Sequence, residues 1–137
     1  MAKILKFNEG TALAFHAMIY IAAHENRAVS VKEIAKSLKA SEGHLSKIMQ
    51  ILTKSGLLKS QRGPQGGFKL GKKSNKIKLI DIFEAVEGKY EKLNCLFEKP
   101  LCNGEKCILG NMLINLNSEL NEYLSHKTID ALVEVFK

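Results

Sequence analysis

The chain has 137 residues, 45% of them hydrophobic, enough for one core and too few for several domains. Two prolines, no low-complexity tract and no internal repeat exclude extensive disorder and a solenoid. The formal charge of +7 is uneven, because Gly43 to Ile80 holds nine bases and no Asp or Glu, whereas residues 81–137 carry six bases against ten acids. Such a run can be a solvated face or a surface for a polyanion, and its place in the fold decides between them.

Taken in chain order, the spacing of Leu13, Ala17, Tyr20, Ile21 and His24 predicts a helix over about 8–23, apolar nearly all round and therefore buried. Its apolar core, TALAFHAMIYIAA, is interrupted by His16 and is far shorter than the ~20 residues of a membrane span. The cytoplasm is the expected compartment, with no membrane partner. In SVKEIAKSLKAS, Ser30 and Glu33 have the spacing of a capping box, and Val31, Ile34, Ala35 and Leu38 mark the inner face of a short helix. Ser41 is the predicted cap of a third helix that turns Leu45, Ile48, Met49 and Leu52 inward and stops at Gly56. Two helices joined by about three residues predict a helix-turn-helix.

After Gly56 the pattern changes to strand, turn and strand: LLKSQ, RGPQGG and FKLGKK predict a hairpin, or wing. GGFKLGKK has the spacing of a phosphate-binding loop, but Lys73 stands where Ser or Thr should hold magnesium and no apolar helix follows. LIDIFEAVEG predicts a helix ending at Gly88. Later, Leu109, Leu113, Leu116, Leu120 and Tyr123 alternate steps of four and three, a stripe that either packs on its own domain or, as expected after a complete DNA-binding module, forms the seam of a coiled coil between two copies, and Thr128 caps a last short helix. The expected fold is mainly α with a small β-hairpin: a winged helix-turn-helix domain over 1–80 and, within 81–137, a long C-terminal dimerisation helix.

The acid-free basic run coincides with the third helix and the hairpin together, which points to double-stranded DNA. A dimer would read a palindromic operator. The candidate contacts on the third helix are Ser41, Gly43, His44, Ser46, Lys47 and Lys54. Arg62, Gly63, Pro64, Gln65, Gly66 and Gly67 form a wing tip suited to the narrow minor groove, with Lys69 behind it for phosphates. No paired carboxylates and no nucleophile beside an activating base stand at a recognisable spacing, so an enzyme is not expected.

All three cysteines lie in NCLFEKPLCNGEKCIL, as Cys95, Cys102 and Cys107. Their spacing lacks the close pairs of structural zinc sites, and thiolates on longer loops can wrap a larger object such as an iron-sulfur cluster, 2Fe-2S or 4Fe-4S. Zinc bound with a histidine, and three unligated thiols, are the alternatives.

The segment HLSKIMQILTKSGLLKSQRGPQGGFKLGK from His44 to Lys72, with the cysteine loop and LNEYLSHKTIDALV after it, resembles the IscR and NsrR family of bacterial winged-helix regulators, the Rrf-two family. The likeness covers nearly the whole length. It implies a homodimer of crossed long helices, each subunit holding a cluster through Cys95, Cys102 and Cys107, with cluster state setting operator affinity, as in a repressor. Related proteins sense iron-sulfur supply, nitric oxide or redox state. Supply-reading members carry a histidine three residues after the third cysteine, where this chain has Gly110. Nitric-oxide sensors can borrow an N-terminal aspartate from the partner, and the aligned residue here is Ala12, with Asn8 and Glu9 a turn upstream. Glu9 is thus a candidate fourth ligand, with His16 behind it. A site without a strong fourth protein ligand would be labile and open to diatomic molecules. Some relatives lack the cysteines and answer to a protein partner, so the alternative is a cluster-free or zinc-binding regulator controlled that way.

Overall fold

The computed structural model describes residues 7–91, 95, 99, 107–109 and 111–136. Five α-helices and a two-stranded hairpin follow one another along the described residues: α1 (Glu9–Ala23), α2 (Val31–Leu38), α3 (Glu42–Lys54), β1 (Leu58–Gln61), β2 (Gly67–Leu70), α4 (Leu79–Glu87) and α5 (Met112–His126). A 3₁₀ turn at Ser74–Lys76 precedes α4, and a longer 3₁₀ segment, Ile129–Phe136, follows α5. The expected class, mainly helical with a hairpin wing, is the observed one.

α1 begins where Asn8 turns its side-chain oxygen onto the Thr11 N–H at 2.9 Å, satisfying one of the donors a helix start leaves open. Leu13, Ala14, Ala17, Met18 and Ile21 on this helix are buried. They meet Ile34 of α2, Leu45, Met49 and Leu52 of α3, and Ile82 and Phe83 of α4 in one cluster that also takes in Leu124 and Ile129. One core therefore runs across residue 80. Burial of whole aliphatic side chains contributes about 1.5–3 kcal/mol each, so α1, wrapped on most sides, is the post on which the reading helices are mounted.

α3 ends as its sequence requires. Gly56 has φ 85°, its N–H donates to the Thr53 carbonyl, and Leu57 N–H reaches back to Leu52 at 3.1 Å, the paired bonds of a Schellman stop. The turn before it is less conventional, because Lys39 takes the left-handed conformation with φ 54° between α2 and α3. β1 and β2 pair antiparallel, Leu58 opposite Leu70 and Lys59 opposite Lys69. The stretch with phosphate-loop spacing is thus strand β2 and the turn after it.

Three expectations are corrected. Ser30 does cap α2, accepting the Glu33 N–H at 3.1 Å, but the Glu33 carboxylate does not complete a capping box. It takes two bonds from Arg27, at 2.7 and 2.6 Å, and one from the Tyr20 hydroxyl at 2.7 Å, because a bidentate guanidinium is a stronger donor than a backbone amide. The last element is 3₁₀, and the Thr128 hydroxyl donates to Asp130 instead of accepting a backbone N–H. Its Ile129 N–H bonds to Ile77, and Phe136 sets its ring edge-on to Tyr20, so it straps α1.

The third correction concerns the seam. Leu113 and Leu124 are buried and Leu120 is half-buried, all within the protomer, whereas Leu116 and Tyr123 are 44% and 53% exposed. The inward stripe runs Leu113, Asn117, Leu120, Leu124, and the outward one joins Met112, Leu116 and Tyr123. A step of three or four reads the same on both faces, and only packing assigns each residue to a side.

The Glu33 contacts tie the first helix of the helix-turn-helix to the end of α1. Bonds from Arg27, partly opposed by burial and aided by Tyr20, lower the Glu33 carboxyl to about 2 from an ordinary 4.5. A depressed folded-state pKa stabilises the fold above the unfolded value and loses that contribution as pH falls from about 4.5 towards 2. Glu33→Gln should melt below the parent chain near neutrality, and thermal melts at descending pH should show the gap closing through that window.

Candidate nucleic-acid interface

α3 presents one face to solvent. Ser41 caps it, its Oγ accepting the His44 N–H at 3.3 Å, and Glu42 and Gly43 are exposed in the first turn. Burial of Leu45, Ile48, Met49 and Leu52 leaves Gly43, Lys47, Gln50 and Lys54 outward in steps of four, three and four. Gln50 was missed by sequence reasoning, although the same spacing that finds Lys47 and Lys54 would have found it. A glutamine there can pair with the two edge groups of an adenine, as Lys47 can with guanine.

His44 and Ser46 are half-buried. His44 lines a shallow cleft with Glu9 and Gly10 of α1, Ile48 of α3, and Val86 and Glu87 of α4. Glu9 is exposed at the rim of this cleft, and His16 lies elsewhere, its Nδ1 bonded to the Ala12 carbonyl at 2.6 Å.

The wing tip is built on glycine. A Cβ at Gly66 would stand 2.3 Å from the Gln61 carbonyl oxygen. One at Gly67, whose φ is 148°, would stand 2.4 Å from that of Val29. The second approach exists because Val29 and Phe68 exchange backbone bonds of 2.9 and 2.7 Å, stitching the hairpin to the loop between α1 and α2. Arg62, Gly63, Pro64 and Gln65 are left exposed at the tip, and Lys69 is half-buried behind it. Hairpin and α3 thus pack on one core and carry Lys47, Lys54, Lys59 and Arg62 exposed.

Of the cysteines, Cys95 and Cys107 are half-buried, and Cys102, like Gly110, lies outside the described residues. The Cys107 sulfur accepts the Leu109 N–H at 3.4 Å. Among the described residues no three His, Cys, Asp or Glu side chains converge on a metal-sized point. Two half-buried thiols in one loop, one already accepting a backbone N–H, are the donor chemistry that iron-sulfur clusters use.

Tyr90 fastens the start of that loop. Its N–H donates to Glu84 of α4 at 2.7 Å and its hydroxyl to the Asn117 carbonyl of α5 at 3.1 Å, with its ring edge-on to Phe83. Burial raises the Tyr90 hydroxyl pKa. Asn117 is buried and donates in turn to the Leu113 carbonyl, and buried Thr11 of α1 donates to Glu87 of α4. Among the described residues no helix is long and apolar enough to cross a membrane.

Comparison with known proteins agrees with this geometry. Residues 7–135 match the Rrf2 family, described as an iron-dependent transcriptional regulator. The chain is 33% identical over 132 residues to an Aquifex aeolicus protein named as an HTH-type transcriptional regulator, covering 94% of this chain and 92% of that one. It is 29% identical over 121 residues to the HTH-type transcriptional regulator IscR of Pectobacterium atrosepticum, covering 88% and 74%. Among solved structures, CymR, the global cysteine regulator of B. subtilis, superposes with a TM-score of 0.79 at 25% identity, covering 97% of this chain and 99% of that one. T. potens IscR superposes with a TM-score of 0.73 at 28% identity, covering 96% and 88%. With a match along nearly its whole length and a basic helix and wing projecting from one face, the chain belongs to the Rrf2 family of DNA-binding transcriptional regulators.

Proposed function

We propose that the protein is a cytoplasmic homodimer that reads a palindromic operator as a repressor and sets its grip on DNA by an iron-sulfur cluster held through Cys95, Cys102 and Cys107. The observation that carries this reading is the gathering of every cysteine into one loop, which Tyr90 moors both to α4 and to the helix that bears an outward apolar stripe. The family's iron-dependent description and the likeness to IscR proteins support it. When bound, the cluster supplies an iron centre that responds to redox state, nitric oxide or iron-sulfur supply. The chain's own residues do the rest.

Residues 1–80 are the reading module in this proposal and 81–137 the sensing and pairing module. Ser41 and Gly43 let the start of α3 come close to a phosphate, and Lys47 and Gln50 face base edges. His44 and Ser46 border that surface, Lys54 and Lys69 neutralise phosphate, and the tip from Arg62 through Gly67 enters the minor groove. Glu9, a helical turn upstream of Ala12, is the candidate fourth ligand. Occupancy of the thiolates changes operator affinity only as far as it favours one arrangement of the paired subunits over another.

Protein made and kept without oxygen should be brown and contain iron and acid-labile sulfide, and Cys102→Ala should bleach it. Colourless protein with stoichiometric zinc would overturn the cluster. A second reading is a regulator without a cluster, governed by a protein partner; the likeness to CymR, whose name gives cysteine rather than iron as what it regulates, stands beside it. Colourless, metal-free chain that co-purifies with a second protein and loses its DNA response without it would establish that reading instead.

A further inference from the structure

The nine bases of the acid-free run do not all sit on α3 and the wing tip. Lys59 and Lys69 are direct cross-strand partners, so both side chains rise on one side of the hairpin, opposite the side on which Leu58 and Leu70 meet the core. Directly opposed side chains have their Cβ atoms about 4.5–5.5 Å apart, and like charges at that spacing destabilise the pair. Both lysines line a cleft of about 800 Å³ between the hairpin and the end of α1, which also takes in Lys72, Lys73, Ser74 and Asn75.

Two carboxylates line the same cleft and neither neutralises the lysines. Asp130 accepts the Thr128 hydroxyl, Glu25 is exposed, and among the described residues no carboxylate pairs with Lys59, Lys69, Lys72 or Lys73. Arg27, also at the cleft, is committed to Glu33. The hairpin therefore keeps a like-charged pair that a single Gln would relieve, beside two further cations and two polar side chains.

We propose that this cleft is an anion site for phosphate-class dianions. The oxygens bridge Lys59 and Lys69, offset their repulsion and accept from Lys72, Lys73 and Ser74. The cleft is larger than one phosphate, so the group arrives on a larger body, either a phosphorylated small molecule or the backbone of DNA flanking the operator. The inference is independent of the cysteines and holds whether or not a cluster is bound.

Inorganic phosphate titrated into the dimer at constant ionic strength should saturate in the millimolar range or tighter, shifting the backbone amide resonances of Lys59, Lys69 and Gly71. It should also raise Tm. Lys59→Gln/Lys69→Gln should lose both responses while melting no lower than the parent in phosphate-free buffer, and Lys59→Arg/Lys69→Arg should keep them. Duplexes with short and long flanks distinguish the sources. If DNA occupies the cleft, longer flanks strengthen binding and the Gln double variant removes that gain; if a small molecule does, flank length has no effect and phosphate still saturates. Amide shifts no larger than those from chloride, together with an unchanged Tm and no dependence on flank length, would overturn the proposal.

Discussion

Operator affinity should fall about 10³- to 10⁵-fold as salt rises from ~50 to ~200 mM, because a dimer that neutralises about six to ten phosphates releases their counterions. Fluorescence anisotropy on a labelled duplex at several salt concentrations reads this directly. The exposed cations on α3 and the wing tip, Lys47, Lys54 and Arg62, supply up to three charges per subunit. Lys54→Ala should weaken binding to every duplex alike and reduce the logarithmic salt slope by about one per subunit. Gln50→Ala should behave differently. If the side chain reads a base, the loss is about 1–3 kcal/mol on the preferred sequence, little on others, and the salt slope stays put. A flat salt response would remove the electrostatic basis of the whole interface.

In the proposed homodimer, Leu116→Glu should abolish pairing of the subunits while leaving each subunit folded. Leu116 and Tyr123 are exposed on α5 in the protomer, so a carboxylate at Leu116 costs the isolated fold little and places repelling charges in a two-fold contact. Sedimentation should show monomer at concentrations where the parent chain is dimer. Binding to a full operator should drop to that of a half-site, because the second reading head no longer arrives with the first. Leu124 supplies the control: it is buried on the opposite stripe, and Leu124→Ala should lower stability by about 2–5 kcal/mol without selectively splitting the dimer. An unaltered dimer in Leu116→Glu would show that the outward stripe is not the pairing surface.

Much of the fold was legible from local chemistry. Ser30 and Ser41 cap helices, Gly56 and Gly88 end them, and RGPQGG makes a turn in which Gly66 and Gly67 leave no room for a side chain. These signals act over three or four residues and need no tertiary partner. The candidate interface was legible for the same reason, since a charge run and a helix start can be placed on a helix-turn-helix without knowing its core.

Contacts between distant parts of the chain were not. Glu33 has the spacing of a capping residue, and only the approach of Arg27 and Tyr20 diverts its carboxylate. Gln50 joins the reading face because the core took Met49 and Leu52 on the other side. The leucines of α5 obey one period on two faces, and the packing of α4 decides which of them are spent on the protomer and which are left for another surface.

Residue order alone established the helices, the wing, the acid-free stretch and the gathering of thiols, because caps, turns and periodicity depend on neighbours in the chain. Folding decided which side of each helix is free and that Tyr90 links the cysteine loop to α4 and α5. It also stood Lys59 against Lys69, a pairing that exists only once strand register brings residues ten apart side by side. The physical reason is the same in each case: burial and register are properties of surfaces that meet, and no stretch of sequence contains its own partner.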